Sequence, residues 1–106
     1  MFARRVSLHL KPNSIAEFTE RLEKDVIPML RKQKGFQDEL TFFTPGGSDV
    51  FAISLWESAE NAEAYNRAAY PEVTKILARV IEGTPRVETY EVVNSTFHKI
   101  AAAVTV

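Results

Sequence analysis

The chain contains no cysteine. Disulfides, thiol nucleophiles and thiolate metal sites are therefore excluded, and a cytoplasmic location is the expectation. Histidine is nearly as scarce: only His9 and His98 occur, on different segments. A metal site needs several donors to converge, so both read as structural or interface residues, and no metal is expected. Neither sign of charge dominates. The 13 basic and 14 acidic residues leave a net charge of −1, which supplies no field for nucleic acid or an anionic membrane. No apolar run has the length of a membrane span, and Phe2-Ala3-Arg4-Arg5-Val6 is not an apolar leader. Linkers, repeats and low-complexity stretches are missing as well. Residues 1–106 read as one domain.

What is present is regular patterning. Residues 2–10 alternate, with Val6, Leu8 and Leu10 on one face and Arg5, Ser7 and His9 on the other. Ser14-Ile15-Ala16-Glu17 has the form of a capping box. Ile15, Phe18, Leu22, Val26 and Leu30 then recur at helical spacing up to Gly35, and Pro28 inside the run predicts a kink. Residues 36–56 predict a hairpin whose loop, Thr44-Pro45-Gly46-Gly47-Ser48-Asp49, is turn chemistry without the lysine or following helix of a phosphate loop. Ser58 is the expected cap of a second helix, interrupted at Tyr70-Pro71. Residues 87–100 predict a last strand longer than usual.

The order strand, helix, hairpin, helix, strand predicts an antiparallel sheet of order 4-1-3-2 with both helices on one face. In the hairpin, Leu40 and Phe42 share a face, as do Phe51, Ile53 and Leu55; these are the expected core. The opposite face carries Glu39, Phe43 and Trp56. Aromatic residues are not left wet, so a second copy of the chain is expected to cover that face, with residues 94–100 reaching the partner and His98 at the interface.

Few residues point to chemistry. The helical carboxylates Glu17, Glu20, Glu23, Asp25, Glu60 and Glu63 read as solvated surface. Glu39, on the covered face, needs a partner, and Arg5 is the candidate for a structural or rim pair. Trp56, Tyr65 and Tyr70 form an aromatic group suited either to a core or to the wall of a pocket for a flat ligand.

Residues 53–65, ISLWESAENAEAY, resemble the segment of the antibiotic biosynthesis monooxygenase family in which the third strand ends in Trp and enters the second helix. The first helix ending before Gly35-Phe36, the broken second helix and Tyr90-Glu91-Val92 in the last strand extend that resemblance over the domain. It implies an α+β, ferredoxin-like β-α-β-β-α-β subunit forming a dimeric α+β barrel. The haem-degrading branch of the family uses an Asn, a Trp and a haem-ligating His where this chain has Arg5, Tyr65 and Lys75, so haem binding is not expected. Two functions are implied. One is a monooxygenase that needs no cofactor and acts on a small aromatic substrate; the other is a non-catalytic dimeric barrel that binds a small ligand. In the first, Trp56 and Tyr65 are walls, Arg5 stabilises the substrate anion, and His9, Tyr65 or Tyr70 moves the proton. Arg5 and His9 share a face about 13 Å apart, so one substrate does not bridge both.

Overall fold

The computed structural model describes residues 1–97. Its sheet has four antiparallel strands in the order β2-β3-β1-β4, as expected. β1 is Phe2–Leu10, β2 Phe36–Phe43, β3 Asp49–Trp56 and β4 Ile81–Glu91. The helices α1 (Ile15–Arg21), α2 (Ile27–Arg31), α3 (Ala59–Ala68) and α4 (Tyr70–Leu77) pack on one side. Phe18, Val50, Trp56 and Val80 are the most deeply buried side chains between the two layers.

A π-helical turn, Leu22–Val26, joins α1 to α2, and the Ile27 amide donates to the Leu22 carbonyl. The apolar spacing explains it. Phe18, Leu22, Val26 and Leu30 are four residues apart, so in an α-helix the stripe would drift by roughly 120° over three steps. One extra residue in a wide turn takes back about 100° of that drift. Pro28, in the first turn of α2, has no amide to continue the regular ladder. The expected kink is thus a π turn that keeps four side chains on the sheet.

The expected capping box does not form. Asn13 has a positive φ of 59°, and Ser14 sits at φ −107°, ψ 1°, outside the extended region a cap needs. Its hydroxyl donates to the Pro12 carbonyl, while Glu17 pairs with Arg21. Ser58 does cap α3: it is extended and accepts from the Asn61 amide at 3.2 Å. The helix breaks between Ala68 and Tyr70, as the Tyr70-Pro71 pair predicted.

The faces of the hairpin are the reverse of the expectation. Arg4 lies opposite Ser54 and Val6 opposite Ala52, so the apolar face of β1 is shared by Ala52, Ser54 and Trp56. Those residues face the helices. Phe51, Ile53 and Leu55 face away, with Leu40 and Phe42 beside them on β2. Leu40 is 50% and Phe42 41% exposed. The reason is volume: Ala52 and Ser54 leave room for helix side chains, whereas the larger residues build the outer layer. A bulge at Gln37 also shifts the parity of β2, so that Phe36 and Glu39 both face the helices despite their odd separation.

β4 starts earlier than expected and ends at Glu91 rather than continuing to 97. Gly83-Thr84-Pro85 lies inside it where the register against β1 shifts between Ser7 and His9. Gly83 has φ +72° and Pro85 has no amide, the combination a bulge accommodates. Residues 98–100 of the expected long strand, His98 included, lie outside the described residues.

Gly35 closes the first helical layer at φ +82°, and a Cβ placed on it would overlap the Asn61 side chain at the start of α3. Its carbonyl accepts from the Glu57 amide at 2.8 Å. Gly35→Ala is expected to destabilise the fold by more than about 2 kcal/mol, measured by urea unfolding.

Candidate functional site

A cavity lies between the sheet and both helical layers. Its apolar walls include Phe18, Leu22, Val26 and Leu30 from the first layer and Tyr65, Tyr70, Val73 and Leu77 from the second. Its floor on the sheet is Arg4, Val6, Leu8, Ala52 and Ser54, with Glu39 at the β2 side. The empty space is about 590 Å³, partly open to solvent, but only about 60 Å³ admits the centre of a water-sized sphere. It is a slot rather than a chamber.

The floor carries a polar row. Glu39, Ser54 and Arg4 are in register across β2, β3 and β1, and Thr89 continues the row on β4 outside the cavity. Arg4 is only 3% exposed. Its Nη2 donates to Asn66 Oδ1 at 2.6 Å, and its guanidinium lies 4.1 Å from the Tyr70 ring centroid and 5.2 Å from that of Tyr65. Two electron-rich faces and a neutral amide thus surround a buried cation. Among the described residues no ion pair joins Arg4 to a carboxylate. A desolvated cation without an opposite charge is costly, and it attracts an anion.

The aromatic residues stack behind it. Trp56 and Tyr65 rings lie 4.9 Å apart, and Tyr65 and Tyr70 6.1 Å apart. Trp56 is fully buried, and its Nε1 donates to Ser54 Oγ at 2.9 Å. It backs Tyr65 and does not itself line the cavity. Burial pushes the Tyr65 phenol up to about 12, against the lowering effect of Arg4, with smaller raising effects from Tyr70 and Glu39. Burial raises the Tyr70 phenol as well, again opposed by Arg4. Both tyrosines hold their protons at neutral pH.

The sequence-predicted residues divide. Tyr65 and Tyr70 come together at the cavity. Arg5 and His9 do not join them, because both lie on the other face of β1. The Arg5 guanidinium sits 4.3 Å from the Phe51 ring centroid, on the opposite side of the sheet from Glu39. His9 is exposed, with Nδ1 2.9 Å from Asp49 Oδ1. Among the described residues, no group of three or more His, Asp or Glu converges as a metal site would require. Lys75, aligned with the haem-ligand position, is exposed on α4. Sequence reasoning missed Arg4, though a signal existed: Phe2, Arg4, Val6, Leu8 and Leu10 share one parity, so the arginine is in phase with the buried face. Asn66 carried no such signal, because only the packing of α3 over β1 brings it to Arg4.

No protein-family model matches the sequence, and no curated protein matches it. Solved structures do. The Streptomyces coelicolor monooxygenase ActVA-Orf6, in complex with nanaomycin D, superposes with a TM-score of 0.76 at 18% identity, covering 89% of this chain and 88% of that one. The chain has the fold of the antibiotic biosynthesis monooxygenases. SnoaB, a cofactor-independent oxygenase from Streptomyces nogalater, matches in a variant form with TM-score 0.72, 12% identity and coverage of 90% and 95%. A Nitrosomonas europaea protein of unknown function matches with TM-score 0.75, 17% identity and coverage of 90% and 91%. At such identities the likeness is one of fold, and this fold is not confined to proteins of known activity. Among the described residues no helix is long and apolar enough to cross a membrane.

Burial raises the Glu39 carboxyl above its ordinary 4.5, opposed by a hydrogen bond from Thr41. The folded state therefore binds the proton more tightly than the unfolded state. The contribution of Glu39 to stability is full below the ordinary carboxylate range and is lost as pH rises through its folded pKa. Glu39→Gln, which mimics the protonated form, is expected to melt higher than the wild type at pH 7. The difference should vanish below pH 4.5, as followed by circular dichroism.

Proposed function

We propose that the chain is a cofactor-independent monooxygenase acting on a small aromatic substrate with an ionisable hydroxyl, as a homodimer. The observation that carries this reading is the buried Arg4 guanidinium, without a carboxylate partner among the described residues, at the floor of an apolar slot lined by Tyr65 and Tyr70. An oxygenase of this kind ionises a phenol or enol and holds the anion while oxygen attacks the adjacent carbon. Arg4 takes the role the sequence had suggested for Arg5: it pairs with the anion in a dry site, where such a charge is most effective. Tyr65 and Tyr70 flank the ring and donate hydrogen bonds. Trp56 holds Tyr65 in place.

The substrate supplies the electrons. An anthrone CH₂ combines with O₂ to give C=O and water: one oxygen atom forms the new carbonyl, the other leaves as water with the two former C–H protons. The monooxygenases of the same fold support this chemistry, one seen with nanaomycin D and another named as cofactor-independent. The narrowness of the slot favours a second reading, a non-catalytic barrel that takes a small ligand.

The dimer rests on the open sheet face. Leu40, Phe42, Phe51, Ile53 and Leu55 form an apolar surface there, Phe42 and Phe51 stacked at 4.6 Å. Arg5 lies on the same face with its Nε buried and unbonded. Four strands of eight residues span about 19 by 27 Å. Two such faces together bury roughly 1,000 Å², the threshold for a specific interface. Sedimentation at micromolar concentration is expected to give twice the chain mass, and Phe42→Asp the single mass. A wild-type monomer would refute the dimer.

The activity is tested by oxygen uptake with a panel of anthrones and hydroquinones. One O₂ consumed per ketone formed is expected for the anthrones. Arg4→Met should lower kcat/KM at least about 100-fold, the scale of losing a group that stabilises transition-state charge, while melting no lower than the wild type, because a desolvated cation is replaced by a packed thioether. Saturable ligand binding without oxygen uptake would establish the non-catalytic reading instead.

A further inference from the structure

The polar row on the cavity floor has a charged group towards each side of the slot. Two strand spacings separate Arg4 from Glu39, about 10 Å between Cα atoms, and Ser54 lies between them. Both side chains line the cavity. Glu39 also lines a second, open groove beside α2, with Glu23, Ile27, Arg31, Gln37 and Asp38. Among the described residues no other is shared by the two spaces. Glu39 is half-buried, accepts a hydrogen bond from the Thr41 hydroxyl, and forms no ion pair among the described residues. A carboxyl group thus borders both the dry slot and the open groove.

The other groups that could take a proton are elsewhere or hold their own. His9 is on the opposite face of the sheet, against Asp49. The Tyr65 and Tyr70 phenols are raised by burial and stay protonated at neutral pH. The charged and titratable groups facing Glu39 are Arg4 from β1, Tyr65 from α3, Tyr70 from α4, Glu23 from the π turn, Arg31 from α2, and Asp38 on its own strand. Of these, Arg4 and the tyrosines share the slot with it. Desolvation makes the Glu39 carboxylate a stronger base than an exposed one.

Given an ionisable aromatic ligand in this slot, as proposed above, we infer that Glu39 is the group that accepts the ligand's hydroxyl proton and holds it while the ligand is bound. The O–H bond breaks and its electron pair stays on the ligand oxygen, which pairs with Arg4. The proton forms a new O–H bond on the carboxylate, and no electron is transferred in this step. The positive charge at Arg4 and the negative charge at Glu39 become an ion pair of ligand and guanidinium beside a neutral acid. The slot therefore stays neutral on binding, which is the state a low-dielectric site favours.

The test uses 4-phenylazophenol, a dye that is mostly un-ionised in water at pH 7 and whose phenolate and phenol forms differ in colour. Calorimetry in two buffers of different ionisation enthalpy counts the protons exchanged on binding, and infrared difference spectra report the carboxyl. With the wild type at pH 7, the dye is expected to bind as the phenolate, with no net proton released and a new protonated-carboxyl stretch. Glu39→Gln should lack that stretch, and should either bind the neutral phenol or release one proton per phenolate bound. Should Glu39→Gln fail to fold, the wild-type spectra decide alone. Phenolate binding with one proton released and no carboxyl stretch, or binding of the neutral phenol, would overturn the role of Glu39 and leave the ligand slot standing. Failure of the wild type to bind the dye would overturn the slot as an aromatic-phenol site, and the role of Glu39 with it.

Discussion

The guanidinium of Arg4 sets the terms for its surroundings. A cation that is 3% exposed must find compensation in the interior, and the chain provides it without a carboxylate among the described residues. Asn66 supplies an oxygen, and Tyr65 and Tyr70 supply ring faces. These partners come from α3 and α4, so the break between the two helices is part of the same arrangement: it lets Tyr65 and Tyr70 approach one guanidinium from different directions. Trp56 and Ser54 lock the layer below through their hydrogen bond. What remains uncompensated is the positive charge itself, and that residue of cost is the part available to a ligand.

The two faces of the sheet divide the work by side-chain volume. Towards the helices, Ala52 and Ser54 are small, and the slot exists because nothing bulky stands above them. The π turn serves the same slot from the opposite wall, since it keeps Phe18, Leu22, Val26 and Leu30 aligned where a regular helix would rotate them away. Away from the helices, Phe42 and Phe51 stack and Arg5 lies over Phe51. This apolar surface is the one on which the proposed dimer rests. The proposed ligand and the proposed second chain thus lie on opposite faces of the sheet.

Glu39 shows how one backbone irregularity places a functional group. Strict alternation from Phe36 would put residue 39 on the outer face. The bulge at Gln37 reverses the parity, and both Phe36 and Glu39 turn inward. Phe36 then packs edge-on against Trp56 at 5.5 Å, while Glu39 reaches the cavity. The burial that raises the Glu39 carboxyl also makes its ionised form a burden to the fold at neutral pH. Such a conflict between stability and local chemistry is expected where a site is functional.

Local signals were enough for most of what depends on neighbours in the chain, the capping box at Ser14 and the start of β4 excepted. Alternation defined β1, helical spacing and Ser58 defined the helices, Tyr70-Pro71 marked the break, and the order of elements led to the strand order, because few connections satisfy the handedness rules. The aromatic group at Tyr65 and Tyr70 was visible for the same reason. What the sequence did not contain in readable form was the relation between strands. Alternation states which residues of one strand share a face, but not which face of the next strand joins them. That depends on register, and a single bulge inverts it. Hence Phe51 and Ile53 looked like core and Glu39 looked like a rim residue, whereas Arg4 was in phase with the buried face of its own strand and was overlooked. The tertiary structure decided these points, because only the packing of three strands and two helices determines which side chains lose their water.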